Sequence, residues 1–213
     1  MANFKAEQEW LLKTGDMLYL PPGYAHHGVA ETNCVTWSIG FRAPSAMEIS
    51  HAFLDFLRDE LSVSGQYSDR DLLPTEAPGG IDLAMQQRLA KILGNVTNAS
   101  AQTSMLQRFA GRYFTEPKSH IYFDAPEKTE SAKNFLRKIS VRGIELDLKT
   151  RLLFVDKMFF INGEDLDVPV KDRAMWRALA NTRTLSADDV AQLSEISFSL
   201  LQNLVNSGYL HIR

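Results

Sequence analysis

Residues 15 to 28 read Gly-Asp-Met-Leu-Tyr-Leu-Pro-Pro-Gly-Tyr-Ala-His-His-Gly, and this stretch decides how the beginning of the chain is interpreted. Its apolar run, residues 17–20, predicts a short strand that ends at a rigid corner. The two prolines fix φ and remove two backbone donors, and the glycine after them permits the positive φ at which a chain reverses. The pattern therefore predicts a tightly wound β-structure with the imidazole of His26 just beyond the corner.

His26 is the first candidate functional residue. A neutral imidazole held beside a stiff corner is a suitable ligand for iron, zinc, copper or nickel. The competing interpretation is a half-buried histidine that is hydrogen-bonded to a neighbour. His27 is expected on the opposite face, because successive side chains of a strand alternate. The remaining histidines have no His-x-Asp or His-x-Glu spacing, so the sequence holds no complete set of two histidines and one carboxylate: His51, His120 and His211.

Thr36 and Ser38 are the next candidates, and they share one face of a predicted strand, residues 34–41. Inside a barrel, two such hydroxyls can hydrogen-bond a bound carboxylate. The alternative is an ordinary polar face, with the intervening apolar side chains packed on the other side: Val35, Trp37 and Ile39. The two interpretations remain open from the sequence alone.

Composition limits the class of protein. The formal net charge is −3 and 45% of the residues are hydrophobic, which argues against a general nucleic-acid binder because a phosphate footprint needs excess positive charge. A single cysteine, Cys34, excludes an intrachain disulfide. No apolar run approaches the ~18 residues that span a bilayer. We therefore expect a cytoplasmic protein that is not inserted in a membrane.

The chain changes pattern twice, which predicts an α+β, multidomain protein with three parts, residues 1–44, 45–125 and 126–213. The first part contains short β-rich runs, at 10–12, 17–20, 24–30 and 34–41. The second begins with Ser45 and Glu48 at the spacing of a capping box, and three amphipathic helices follow, near 49–61, 83–96 and 103–114. A bundle this small is expected to bury its surplus apolar face against a second copy of the chain.

The third part mixes helices with a small sheet and resembles a winged helix. A helix is predicted at 131–139, and a three-stranded meander at 144–148, 151–155 and 158–161. Further helices are predicted at 171–180, from Ser186 and at 196–205, with a closing strand at 209–212. The acidic residues after Ser186 are interpreted as partners of the helix dipole.

Basic residues do not form a convincing DNA-recognition helix. The segment 194–206 contains no Lys or Arg, and the best basic candidates are Lys171, Arg173 and Arg177. Another group, Arg108, Arg112 and Lys118, is interpreted as a solvated helix face. We therefore expect no DNA binding.

Two motifs resemble those of a known family. Gly-Asp-Met-Leu-Tyr-Leu-Pro-Pro-Gly-x-x-His at 15–26, followed by Ser-Ile-Gly-Phe-Arg-Ala-Pro at 38–44, is similar to the bacterial ribosomal oxygenases. These are JmjC-type members of the cupin superfamily. The closing Leu-Val-Asn-Ser-Gly-Tyr at 204–209 resembles their C-terminus.

The resemblance implies a double-stranded β-helix that binds Fe(II) and the co-substrate 2-oxoglutarate, then a helical dimerisation domain, then a winged-helix-like domain. It implies an oxygenase that hydroxylates a side chain, arginine in the bacterial members, of a large-subunit ribosomal protein. His26 matches the third metal ligand of the family. Thr36 lies where relatives place a polar residue near the co-substrate, and Ser38 is a weaker candidate. No catalytic residue beyond the metal ligand is implied.

The family's His-x-Asp pair, which supplies the first two ligands, does not occur before His26. About 44 residues are also too few for eight strands. We therefore expect this chain to be the C-terminal portion of a longer protein and to be inactive as an enzyme by itself. The alternative hypothesis is that the isolated chain is a catalytically silent dimerisation and protein-binding module.

Overall fold

The computed structural model describes residues 5–40, 42–68, 70, 79–100, 102–129 and 131–213. It divides into two units, Met1–Ala43 and Pro44–Arg213, and each is described by itself. The three-part division at 44 and 125 remains a prediction. Among the described residues, no helix combines the length and apolar character needed to cross a bilayer.

The first unit contains turns but not the expected strands. Asp16 N–H donates to the Lys13 carbonyl at 3.0 Å, and Gly15 between them has a φ of 92°. None of the described residues 5–40 belongs to a strand, so the strands predicted at 10–12, 17–20, 24–30 and 34–40 are wrong for this structure. Phe41, the last residue of the fourth, lies outside the described residues. The physical reason is that a strand needs a paired neighbour, and the described residues of this unit form no ladder.

The described part of the second unit begins with three helices, α1 (Ala46–Glu60), α2 (Leu83–Ser100) and α3 (Thr103–Thr115). The predicted capping box of α1 is confirmed, because Ser45 accepts the Glu48 N–H and the Glu48 carboxylate accepts the Ser45 N–H. Aromatic rings join α1 to α3, with the Phe53 and Phe109 centroids 5.0 Å apart. Helix α3 also packs on the sheet formed by residues 152–166, so it contacts both the other two helices and the following α+β region.

The rest of this unit is an α+β structure. Its helices are α4 (Ala132–Arg142), α5 (Arg173–Thr182), α6 (Ala187–Ala191) and α7 (Glu195–Asn206), with a 3₁₀ helix at Val170–Asp172. Its strands are β1 (Ile144–Leu146), β2 (Leu152–Val155), β3 (Met158–Ile161), β4 (Glu164–Leu166), β5 (Thr184–Leu185) and β6 (Leu210–Ile212). The predicted helix starts at Ser131 and Ser186 are confirmed, since each serine side chain caps its helix.

The predicted meander is corrected by the strand pairing. One sheet has the order β5-β1-β6 and the other β2-β3-β4, all antiparallel, so β1 does not pair with β2. Asn162 and Gly163, with φ of 48° and 92°, form the β3–β4 turn of the second sheet. Strand β4 was missed because its residues, Glu-Asp-Leu, have low strand propensity.

The hydrophobic core lies between the helices and the β5-β1-β6 sheet and reaches the inner face of β3. Its most completely buried large side chains share an exposure below 2%, and they are Phe135, Ile139, Ile144, Phe159, Trp176, Leu179, Leu201 and Leu210. The core thus holds together the part of the second unit from α4 to β6, whereas most large apolar side chains of the first unit are exposed.

Candidate functional site

The corner that precedes His26 is a well-defined turn. The Tyr24 N–H donates to the Pro21 carbonyl at 3.3 Å, and Gly23 has a φ of 85°. A proline at the second position and a glycine of positive φ at the third are the signature of a type II turn. The predicted rigid corner is therefore present, even though no strand flanks it.

His26 lies immediately after this turn with its side chain exposed. Its Nδ1 is 3.3 Å from the Tyr24 carbonyl oxygen. Because a carbonyl oxygen can only accept, this contact is a hydrogen bond when the hydrogen is on Nδ1, which in the neutral ring leaves the lone pair on Nε2. This is the tautomer of a histidine that binds a metal through Nε2 with its other nitrogen tied to the backbone.

Thr36 and Ser38 are also exposed, and so are the apolar residues between and beside them. Val35, Trp37 and Ile39 are 83%, 88% and 79% exposed. The expected packing of this apolar face is therefore absent within the described chain. Both faces of the segment 34–40 are available for contacts that the described residues do not supply.

A complete metal centre is not assembled from the described residues. No group of three or more His, Cys, Asp or Glu side chains among them is placed to hold a metal ion. His211 contacts Asp147 instead, with its Nε2 2.9 Å from the carboxylate Oδ2. The imidazole of His26 is a suitable ligand for Fe(II). It supplies one of the three protein ligands that such a centre needs.

An ion-pair network in the second unit was missed by sequence reasoning. Glu60 at the end of α1 binds Arg108 and Arg112 of α3 at 2.7 Å each, and Asp165 of β4 binds the same two arginines. The interpretation of Arg108 and Arg112 as a solvated helix face is therefore wrong. Burial by itself would raise the pKa of Asp165, but hydrogen bonds from Arg112 and Arg108 outweigh it and keep that pKa below its ordinary value.

A buried carboxylate forms a second polar cluster. Asp172 is 3% exposed and accepts hydrogen bonds from the Ser194 N–H, the Ser194 hydroxyl and the Ser197 hydroxyl. Trp176 Nε1 donates to the Ser197 hydroxyl at 3.0 Å. Burial opposes ionisation of Asp172, but these donors prevail and lower its pKa. No spacing rule connects residue 172 with 194 and 197, so only the folded chain reveals this cluster.

Two protein-family models match the chain, one in its N-terminal part and one in its C-terminal half. A family model described as ROXA-like winged helix matches residues 98–211, and a JmjC domain model matches residues 1–49. These matches confirm the resemblance to the ribosomal oxygenases and the predicted combination of a JmjC segment with a winged-helix part.

Two curated relatives have similar sequences. The chain is 28% identical over 209 residues to the ribosomal protein uL16 3-hydroxylase of Escherichia coli, which covers 97% of this chain and 55% of the relative. It is 33% identical over 93 residues to a probable ribosomal oxygenase of Haemophilus influenzae, which covers 43% of this chain and 21% of the relative. The chain thus spans about half the length of the first relative and less of the second.

Solved structures agree on the fold. The Escherichia coli ribosomal oxygenase YcfD in complex with cobalt and succinic acid superposes with a TM-score of 0.64 at 23% identity, covering 81% of this chain and 47% of that one. The same protein in complex with cobalt and 2-oxoglutarate gives a TM-score of 0.65 at 23% identity. At this identity the likeness establishes the fold.

Proposed function

This chain belongs to the ROXA-like winged-helix family, and from that premise we propose that it forms the C-terminal part of a 2-oxoglutarate-dependent oxygenase. The oxygenase hydroxylates a side chain, arginine by the family resemblance, of a large-subunit ribosomal protein. Support comes from the JmjC match over residues 1–49 and from the relative whose name states that it hydroxylates ribosomal protein uL16. The observation that carries the proposal is the position of His26 just after the Pro21–Tyr24 turn, with its Nδ1 3.3 Å from the Tyr24 carbonyl oxygen.

In this proposal His26 supplies one metal ligand through Nε2, and its Nδ1–H bond to Tyr24 keeps the ring oriented. Thr36 and Ser38 supply hydroxyl donors for the carboxylates of 2-oxoglutarate. Fe(II), 2-oxoglutarate and O₂ together supply the oxidising chemistry of hydroxylation. The two further protein ligands come from a segment other than the described residues of this chain, and a cytoplasmic location follows from a ribosomal substrate.

The direct test is hydroxylation of a uL16 peptide by the complete gene product supplied with Fe(II) and 2-oxoglutarate. Mass spectrometry is expected to show a gain of one oxygen atom on one peptide residue, with stoichiometric consumption of 2-oxoglutarate. The same peptide with that residue changed to alanine serves as the control. Consumption of 2-oxoglutarate at the same rate with and without the peptide would contradict the proposed substrate class.

The helical part is proposed to join two copies of the chain. Exposed leucines at helical spacing on α2 support this, with Leu89 52% and Leu93 53% exposed, because apolar patches of this kind mark interaction surfaces. Analytical ultracentrifugation should give a dimer that becomes a monomer in Leu89→Glu/Leu93→Glu. Leu148→Glu, at a 94% exposed position outside the helices, should leave the dimer intact. A wild-type monomer at micromolar concentration would refute this part of the proposal.

The absence of a three-ligand group among the described residues favours a second candidate function for the isolated chain, a silent dimerisation and protein-binding module. A Mn(II) titration of the purified 213-residue chain tests the silent module. Binding weaker than the millimolar range supports the silent module, since one imidazole is a weak ligand by itself. Stoichiometric Mn(II) binding would exclude it.

A further inference from the structure

A groove in the second unit runs beside strand β4 and is assigned no role by the proposed oxygenase. We call it the β4 groove. Its volume is about 560 Å³, and β3, β4, the 3₁₀ helix, Arg108 of α3 and the first residues of α5 and α7 line it. Cavities of this size are in the range of ligand and peptide sites.

The groove exposes apolar side chains at its rim. Val170 and Ile196 both line it and are 75% and 62% exposed, while Met158 and Leu166 contribute a partly buried apolar surface. Two large aliphatic side chains facing solvent beside a concave apolar surface provide a place where a partner's apolar side chain is removed from water.

Strand β4 adds an unpaired backbone edge. It pairs with β3 on one side, and among the described residues no strand pairs with its other side. An open edge next to an apolar groove is the arrangement used by proteins that bind an extended peptide as an added strand. The shape of the site therefore favours an extended peptide over a compact small molecule.

The charges of the groove favour an acidic peptide. Arg108 and Asp165 neutralise each other within the ion-pair network, together with Glu60 and Arg112. Of the remaining charged lining residues, Lys157 and Arg173 have no ionic partner among the described residues, and they outnumber the single remaining acid, Asp167, so the lining has an excess of one positive charge.

Arg173 gives the strongest indication of a missing ligand. Its Nε is buried and has no hydrogen-bond partner in the described structure. A buried charged donor without an acceptor is costly and rare in native proteins. A carboxylate is the natural partner of a guanidinium, because its two oxygens match the geometry of the N–H donors.

We propose that the β4 groove binds an extended peptide segment of a partner protein, in which an acidic side chain engages Arg173 and neighbouring apolar side chains pack on Val170 and Ile196. Lys157 lies at the groove and adds a second positive charge toward the same acidic segment. The site is built entirely from residues of the second unit, so it does not depend on the oxygenase chemistry.

The test is a competition between two peptide libraries for the immobilised 213-residue chain. Both libraries randomise Leu, Ile, Val and Phe around a fixed central residue, which is Asp in one and Asn in the other. Mass spectrometry of the retained peptides should show enrichment of the Asp library by about tenfold, the effect expected of one charge-assisted hydrogen bond. Equal retention of both libraries, or retention of neither, would overturn the proposal.

Variants locate the binding. Arg173→Met should abolish the preference for Asp, and Lys157→Met should reduce it, with unchanged far-UV circular dichroism in each. The matched control is Arg142→Met, because Arg142 is an exposed arginine of α4 outside the groove. If Arg142→Met loses the preference as fully as Arg173→Met, the groove is not the site. A third library with a central Lys should be retained least, and its preferential retention would contradict an acidic ligand.

Discussion

At the scale of single residues, Gly111 shows how one missing side chain positions a helix. It lies inside α3, where a Cβ atom would come within 2.2 Å of the Phe160 ring of β3. Glycine is otherwise unfavourable in a helix by about 0.5–1 kcal/mol relative to alanine. The close approach of α3 to the β2-β3-β4 sheet is therefore the reason for a glycine here.

Gly111→Ala is expected to lower the free energy of unfolding by about 1–3 kcal/mol, the usual cost of overpacking. Chemical denaturation measures it. The matched control is Gly94→Ala in α2, where nothing lies within 4 Å of the added carbon. That variant should be neutral or more stable by about 0.5–1 kcal/mol. Equal effects of the two substitutions would show that α3 does not pack this closely on the sheet.

Asp172 is a buried carboxylate whose ionisation contributes to the stability of the second unit. Its carboxylate accepts hydrogen bonds from Ser194 and Ser197 and so connects the start of α5 to the first turn of α7. Because its pKa is lower in the folded chain, the ionised form favours folding. That stabilisation is complete above the ordinary carboxyl pKa of about 4 and is lost as the pH falls through the lowered value.

Asp172→Asn should therefore destabilise the chain at neutral pH by about 1–3 kcal/mol, because the buried hydroxyl donors lose an ionised acceptor. The difference from wild type should begin to shrink below about pH 4, where the carboxyl of the unfolded chain takes up its proton, and should disappear as the pH falls through the lowered pKa of the folded chain. Urea denaturation from pH 7 to pH 3 measures this. Asp167→Asn, at an exposed position nearby, is the control. A pH-independent difference would mean that the charge of Asp172 contributes nothing.

At the scale of elements, the two arginines of α3 connect that helix to its neighbours on both sides. Glu60 of α1 is 18% exposed and Asp165 of β4 is 30% exposed, so the network is only partly screened by water. Arg112 also lies over the Phe56 ring, with 5.9 Å between its guanidinium carbon and the ring centroid. The end of α1 is thus held by charge as well as by aromatic packing.

Glu60→Gln is expected to cost about 1 kcal/mol of stability and to raise amide hydrogen exchange in the last turns of α1. High salt should reduce the difference from wild type, because it screens partly exposed ion pairs. The control is Asp55→Asn, which breaks the pair of Asp55 with Arg58 in which both side chains are about 70% exposed; its expected cost is about 0–0.5 kcal/mol. If Asp55→Asn costs as much as Glu60→Gln, the network has no special role.

An element could be predicted from the sequence when the residues that determine it are close together along the chain. The capping residues Ser45 and Ser186 were recognised, because a cap and its helix are adjacent in sequence. Strand β1 was assigned to the wrong sheet, since its partners begin at Thr184 and Leu210, far along the chain. The turn at 21–24 was predicted from proline and glycine alone, but the strands beside it require a pairing partner that no local pattern supplies.

At the scale of the whole molecule, the two units differ in whether they have a hydrophobic core of their own. The second unit has its own core, and its fold was predicted in outline as a helical part followed by a winged-helix-like part. In the first unit, large side chains such as Trp37 and Met17 are 88% and 92% exposed. Its candidate site residues, His26, Thr36 and Ser38, were identified through a family motif, and the proposed function requires further ligands from outside the described residues.

The central claim is that the Nε2 of His26 binds the metal of an oxygenase, and electron paramagnetic resonance of Mn(II) in the complete gene product tests it most directly. Wild type and His27→Ala are expected to bind one Mn(II) per chain, with a spectrum that changes when 2-oxoglutarate is added. His26→Ala is expected to weaken Mn(II) binding by at least about tenfold and to lose the response to 2-oxoglutarate. Undiminished Mn(II) binding by His26→Ala would contradict the claim.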